Sequence, residues 1–182
     1  KRMFDGFYRD VPNKASDGKW YFENYFARHA MPEYYTEESL ARGNGPRIYA
    51  SDDLVNFEYI CTPEGGESDT GEATIAETAN GELILIERNE LGSRYTKAKL
   101  SAPDKWDSYK LLRYDNNDEN SPIMQTVYSL NNIKRLASGN LLLTFHNNNT
   151  KVRDNIAVAL SKDGGVTWPY KLTLDTRIHS SY

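Results

Sequence analysis

Arginine, glutamate, histidine and tyrosine are the side chains of this sequence suited to chemistry on a polar substrate, and their positions matter more than their number. Arg28, Arg88 and His146 each stand toward the far end of an apolar run that opens on a glycine turn. A guanidinium is planar, stays charged at any working pH and grips a carboxylate through two parallel hydrogen bonds. A neutral imidazole can shuttle a proton, bond a sugar hydroxyl or ligate a metal. Each of these also has a structural use: arginines form rim salt bridges, and a lone histidine at a strand end is commonly a hydrogen-bonded spacer. Glu72 starts the strand that precedes one of the glycine turns, and Glu87 adjoins Arg88.

The runs that would position them repeat. Asp17-Gly18, Asn80-Gly81 and Ser138-Gly139 each lead into a mostly apolar strand: Trp20-Tyr21-Phe22, Leu83-Ile84-Leu85-Ile86 and Leu141-Leu142-Leu143. The glycines recur about every 60 residues, and repetition of that kind is weighed before individual strands. A second landmark follows each strand: Ile48 to Ser51 and on to Phe57, Ala98 to Ser101 and on to Trp106, Val158 to Ser161 and on to Trp168. In every copy a strand ends in serine, a short acidic turn follows, and an aromatic closes it. Short alternating runs, Glu72 to Glu77 and Thr126 to Leu136, precede the second and third glycines and would hairpin onto the glycine-led strand. Each unit then holds about four strands, the size of a propeller blade. The surplus length falls in loops at 31–45, which has room for a turn or two of helix, at 62–71 and at 114–122.

The third copy is the fullest: Ser161-Lys162-Asp163-Gly164-Gly165-Val166-Thr167-Trp168. Glycine reaches positive φ without a Cβ clash, aspartate can accept from the turn's own N–H groups, and tryptophan covers the hairpin. These residues match Ser-x-Asp-x-Gly-x-Thr-Trp, the Asp box or bacterial neuraminidase repeat, and the chain resembles the sialidase-like β-propeller superfamily. The resemblance spans nearly the whole chain, through motifs that are structural. It implies an all-β fold: a β-propeller of four-stranded antiparallel blades, about three of them, in units 1–62, 63–120 and 121–182. Propellers close with roughly four to eight blades, so the expectation is one partial domain of a larger ring, completed by further chain or by a second chain. A complete small fold of another kind is the alternative.

The same resemblance implies roles. Sialidase-like enzymes clamp a substrate carboxylate with arginines from several blades, which suits Arg28 and Arg88. They use a carboxylate as general acid/base, suiting Glu72 or Glu87, and a Glu-activated tyrosine as nucleophile, suiting Tyr182. The Phe-Arg-Ile-Pro signature of typical members is absent, Pro46-Arg47-Ile48 is a faint echo, and Arg177 is poorly placed for a third clamp arginine. Propeller polysaccharide lyases, which take a proton beside a uronate carboxylate, would use Arg88, His146 and Tyr182. Asp52-Asp53-Leu54-Val55-Asn56-Phe57 resembles the Ser-x-Asp-Leu-x-x-Trp/Phe turn of arabinanase-like five-bladed propeller hydrolases, whose three carboxylates could include Asp5 and Glu72. The expected function is a sialidase-like glycoside hydrolase acting on an acidic or decorated glycan. The rivals are a lyase on the same scaffold and a non-catalytic glycan-binding propeller.

Composition narrows the field. Of 182 residues, 13 are tyrosine and 12 glycine, which suits a turn-rich β protein. A net charge of −4, with no basic run longer than two residues, argues against a nucleic-acid footprint. Cys61 is the single cysteine, so no internal disulfide and no zinc spacing arise. Three histidines, His29, His146 and His179, give no metal pattern, and no cofactor is expected. No run approaches the roughly 20 apolar residues of a membrane span. Lys1-Arg2-Met3-Phe4-Asp5 lacks a signal-peptide apolar region, both ends read as cuts, and a secreted or periplasmic location is the expectation that goes with a glycan substrate.

Overall fold

The structure, a computed structural model, describes residues 11–24, 36–66, 72–124, 129–148 and 152–178. Within them the chain forms three four-stranded antiparallel sheets in sequence order. The first holds β1 (Asn13–Lys14), β2 (Trp20–Asn24), β3 (Arg47–Ser51) and β4 (Glu58–Cys61). The second holds β5 (Ala73–Glu77), β6 (Glu82–Asn89), β7 (Gly92–Lys99) and β8 (Lys110–Leu111). The third holds β9 (Asn132–Arg135), β10 (Leu141–His146), β11 (Ile156–Ser161) and β12 (Tyr170–Asp175). A short helix, α1 (Glu37–Ala41), falls in the loop where the sequence allows a helical turn; Thr36 caps it by accepting from Ser39 N–H at 3.1 Å. The fold is an arc of propeller blades.

Alternation explains how the sheets stack. Successive side chains of a strand point to opposite faces. On β6, Leu83 and Leu85 join Tyr21, Ile48, Ala50, Ala73 and Ile75 in a core between the first and second sheets. Ile84 and Ile86 join Leu141, Leu143, Phe145, Ala157 and Trp168 between the second and third. The middle sheet is therefore buried on both faces, and its central strand reads as an unbroken apolar run. On β10 burial alternates instead, because one face meets the second sheet.

The first strands of the sheets lie side by side, β5 beside β1 and β9. Thr74 Oγ1 accepts from Ile133 N–H at 3.0 Å, and Asn13 Nδ2 donates to the Ile75 carbonyl at 2.6 Å. Glu77 then ties all three sheets. Its carboxylate accepts from Ser16 N–H (2.8 Å), Ser16 Oγ (2.5 Å) and Arg135 Nη1 (2.6 Å).

The hairpin turns that follow the third strands lie at the Glu77 end, since Leu141 pairs with Ser161 and Trp20 with Ser51. In the third sheet Ser161 Oγ donates to Asp163 at 2.7 Å and accepts from Gly165 N–H at 2.8 Å, while Asp163 accepts from Thr167 N–H (2.9 Å) and Oγ1 (2.6 Å). Gly165 has φ +84°, and a Cβ there would come within 2.9 Å of Ile84, so only glycine lets the turn seat against the second sheet. The first sheet repeats the device: Ser51 Oγ accepts from Leu54 N–H at 2.9 Å, and Asp53 from Val55 and Asn56 N–H at 2.8 and 2.7 Å. The second sheet's turn is built otherwise, with Trp106 Nε1 donating to the Pro103 carbonyl at 2.8 Å.

Candidate functional site

At the opposite end of the sheets, strand register gathers most of the described candidate residues. Ala73 pairs with Glu87 at the start of β5, so Glu72 lies beside Arg88, whose N–H donates to the Glu72 carbonyl at 3.0 Å. Their side chains also pair: Arg88 Nη1 donates to the Glu72 carboxylate. Both are largely buried, Glu72 at 7% and Arg88 at 14% side-chain exposure. By strand alternation Arg88 shares the face of Ile84 and Ile86, toward the third sheet.

Glu87 takes the other face. It is fully buried and accepts from Arg94 Nη2 at 2.6 Å, across the β6–β7 hairpin. Arg94 also donates to the Gly65 carbonyl at 3.1 Å and lies over the Tyr109 ring at 4.6 Å. Burial drives the Tyr109 phenol well above its ordinary range, the Glu87 charge adds to this, and Arg94 opposes it. Tyr109 therefore stays protonated and is no candidate for a phenolate base. Two Glu–Arg pairs thus stand back to back at one end of the middle sheet.

His146 ends β10 and pairs with Ile156 at the same end of the third sheet. Its Nδ1 lies 2.9 Å from the Asp154 carbonyl. A carbonyl only accepts, so Nδ1 carries the proton, and in the neutral ring Nε2 is left as an acceptor. His146 bonds neither Glu72 nor Arg88. In the first sheet Arg47, fully buried on β3, donates to Ser39 Oγ (3.0 Å), the Ser39 carbonyl (2.6 Å) and the Gly43 carbonyl (3.2 Å). These bonds hold the loop carrying α1 against the sheet, so the arginine of Pro46-Arg47-Ile48 is a structural fastener. Arg177 is exposed and bound to Asp175 at 2.6 Å. Arg28, Tyr182, Asp5, His29 and His179 lie outside the described residues.

Sequence reasoning thus reached Glu72, Arg88, Glu87 and His146 but missed Arg94, Tyr109 and the tie at Glu77. The hairpin signal for Arg94 was present: turning at Glu90-Leu91 sets it opposite Glu87. Among the described residues no three His, Cys, Asp or Glu side chains gather to hold a metal, and no helix is long and apolar enough to cross a membrane.

Consecutive four-stranded antiparallel blades are the repeating unit of propeller proteins. No protein-family model and no curated protein matches the sequence. Solved structures do match in fold. The NanB sialidase of Streptococcus pneumoniae (K499G variant) superposes with a TM-score of 0.58 at 18% identity, over 88% of this chain and 22% of its own. The exo-β-1,3-galactanase 1,3Gal43A of Clostridium thermocellum gives 0.54 at 11%, over 89% and 37%. A PL25 ulvan lyase gives 0.52 at 13%, over 87% and 36%. The chain is similar to these in architecture and spans well under half the length of each. One scaffold carries hydrolases and a lyase, so the fold leaves the chemistry to the site.

Proposed function

We propose that the chain is part of a carbohydrate-active propeller, a glycoside hydrolase of sialidase-like type acting on an acidic or decorated glycan. The carrying observation is the Glu72–Arg88 pair, buried at the strand ends away from the Ser-x-Asp turns. Arg88 offers a guanidinium that a substrate carboxylate would take over from Glu72 by bidentate exchange. Glu72, released from that partner, is the proton-transfer group. On the sequence resemblance, Arg28 is assigned to the same anion, and His146 and Tyr182 to the pocket. The Ser161–Trp168 motif supports membership among the Asp-box propellers, and the remaining blades would come from a longer chain or a second one. A secreted or periplasmic location suits such a substrate.

One observation favours a second reading. The Asp154 carbonyl fixes the His146 tautomer so that Nε2 is the basic nitrogen, the form a lyase needs to take a proton beside a uronate carboxylate. The readings separate on products: a lyase releases unsaturated uronates that absorb in the ultraviolet, a hydrolase none. For the hydrolase, Glu72→Gln and Arg88→Ala each lower turnover of an acidic oligosaccharide by about 10²–10⁴-fold. Retained activity in the glutamine variant removes Glu72 from the site.

A further inference from the structure

A cleft of about 620 Å³, whose described lining includes neither Glu72 nor Arg88, opens between the outer part of the second sheet and the third. Arg113, Tyr114, Ser121, Asn147, Asn148 and Lys171 are among its lining residues, and among the described residues the lining contains no aspartate or glutamate. In a chain of net charge −4, two cations line the cleft among the described residues, and the Asp154 carboxylate stands behind Asn148, bonded to its amide.

Tyr114 organises it. Its hydroxyl donates to Asn147 Oδ1 at 2.8 Å, which turns the Asn147 amide so that Nδ2 is left without a protein partner among the described residues. The Lys171 ammonium lies 5.1 Å from the Tyr114 ring centroid and forms no ion pair with any described carboxylate. Burial raises the Tyr114 phenol above its ordinary value, so the donor persists across the neutral range. Arg113 commits Nη1 to the Ser121 carbonyl at 2.6 Å and keeps its other donors. Asn148 is braced by the Val152 carbonyl at 2.8 Å and by Asp154. The cleft therefore presents amide, guanidinium and ammonium donors around an open volume.

We propose that this cleft is a second glycan subsite that takes an anionic sugar unit, carrying a carboxylate or a sulfate. Lys171 and Arg113 meet the charge, and Asn147 Nδ2 meets a ring or hydroxyl oxygen. The proposal rests on the reading of the chain as a glycan-acting propeller and extends it: the polymer bears anionic units beyond the one at Arg88. Charge-assisted donors set the selectivity, and Tyr114 is a positioning residue for both Asn147 and Lys171.

The test is calorimetric titration of the intact protein with three probes of equal length: a galacturonate oligosaccharide, a sulfated galactan oligosaccharide and a neutral galactan oligosaccharide. Binding of either anionic probe, weakened about tenfold by Lys171→Ala, further by Lys171→Glu, and recovered by Lys171→Arg, is the expected result. Tyr114→Phe, which keeps the ring but removes the bond to Asn147, should weaken the anionic and neutral probes alike. Lys171 is exposed on an outer strand, so its variants do not endanger the fold. Glu72→Gln and Arg88→Ala keep the cleft's affinity, so loss of turnover in them and loss of binding in the cleft variants are read separately. Absence of binding by both anionic probes, or affinities indifferent to Lys171→Glu, overturns the subsite whatever the rim variants show.

Discussion

β5 carries a buried carboxylate at each end, and the two are used in opposite ways. Glu77 is held by donors from two other sheets, Ser16 of the first and Arg135 of the third. Glu72, one residue before the strand, is paired with Arg88 of its own sheet's neighbouring strand. A carboxylate bonded across sheets fixes how the sheets lie relative to one another. The bond from Glu72 to the Arg88 guanidinium beside it joins two strands of one sheet. The Ser-x-Asp turns stand at the Glu77 end, so the bonds from Glu77 to its neighbouring sheets and those that close the turns gather on that rim, while the Glu72–Arg88 pair stands on the other.

That contrast breaks most readily at Glu77. Glu77→Gln leaves Arg135 without its counter-charge and Ser16 with a poorer acceptor, and should cost about 3 kcal/mol in urea unfolding. Glu72→Gln, which removes the charge facing Arg88 of the adjacent strand, should cost about 1 kcal/mol on the same scale while lowering turnover if Glu72 is the proton-transfer group. Equal losses of stability at the two positions would erase the distinction between the Glu77 rim and the Glu72 rim. Retained activity in the Glu72 variant would leave it as packing alone.

The Glu77 rim was the more legible of the two in the sequence. Its parts are local: glycines at turn positions, a serine and an aspartate two apart, an aromatic to close the hairpin. The run Leu83 to Ile86, apolar at every position, records that β6 is buried on both faces. What sequence cannot carry is the pairing between sheets. Glu77 meets Ser16 and Arg135 from about 60 residues away on either side, and nothing in the alternation of any one strand names those partners. Glu72 and Arg88 were legible as positions, each at the end of a recognisable run, but their pairing follows from β5–β6 register. The cationic cleft was invisible, since Tyr114 and Asn147 sit in loops of different units and only the packing of two sheets brings them together.

The two Ser-x-Asp turns sharpen the contrast further, by acid. Burial pushes the Asp163 carboxyl upward, but bonds from the Thr167 hydroxyl, its N–H and the Ser161 hydroxyl outweigh it and hold the group below its ordinary value. A folded pKa below the unfolded one, about 3.9, contributes stability that is complete above that value. The contribution is lost as pH falls through the folded pKa. Asp163→Asn should therefore be less stable than the parent by about 1 kcal/mol at neutral pH, with the gap closing below about pH 4. A gap that persists unchanged in acid would mean that the carboxylate's charge is not what the turn uses.

Asp53 gives the smallest reading, because the carboxylate is exposed and only the Ser51 hydroxyl, at 3.2 Å, meets it from the buried side. Its carboxylate is pulled down to about 2, first by the Asn56 N–H, then by the Val55 N–H and the Asn56 side chain, against a small opposing effect of burial. Carbon-detected NMR titration of the Asp53 carboxyl should follow that low midpoint. Asn56→Ala, which removes the side-chain donor at 2.8 Å and keeps both N–H groups, should raise it only part of the way toward the ordinary range. An ordinary midpoint in the parent would show that the turn's N–H groups are not closed on the carboxylate in solution. The first sheet's turn would then differ in kind from the third's, and the bonds gathered on the Glu77 rim would reduce to those of Glu77 and Asp163.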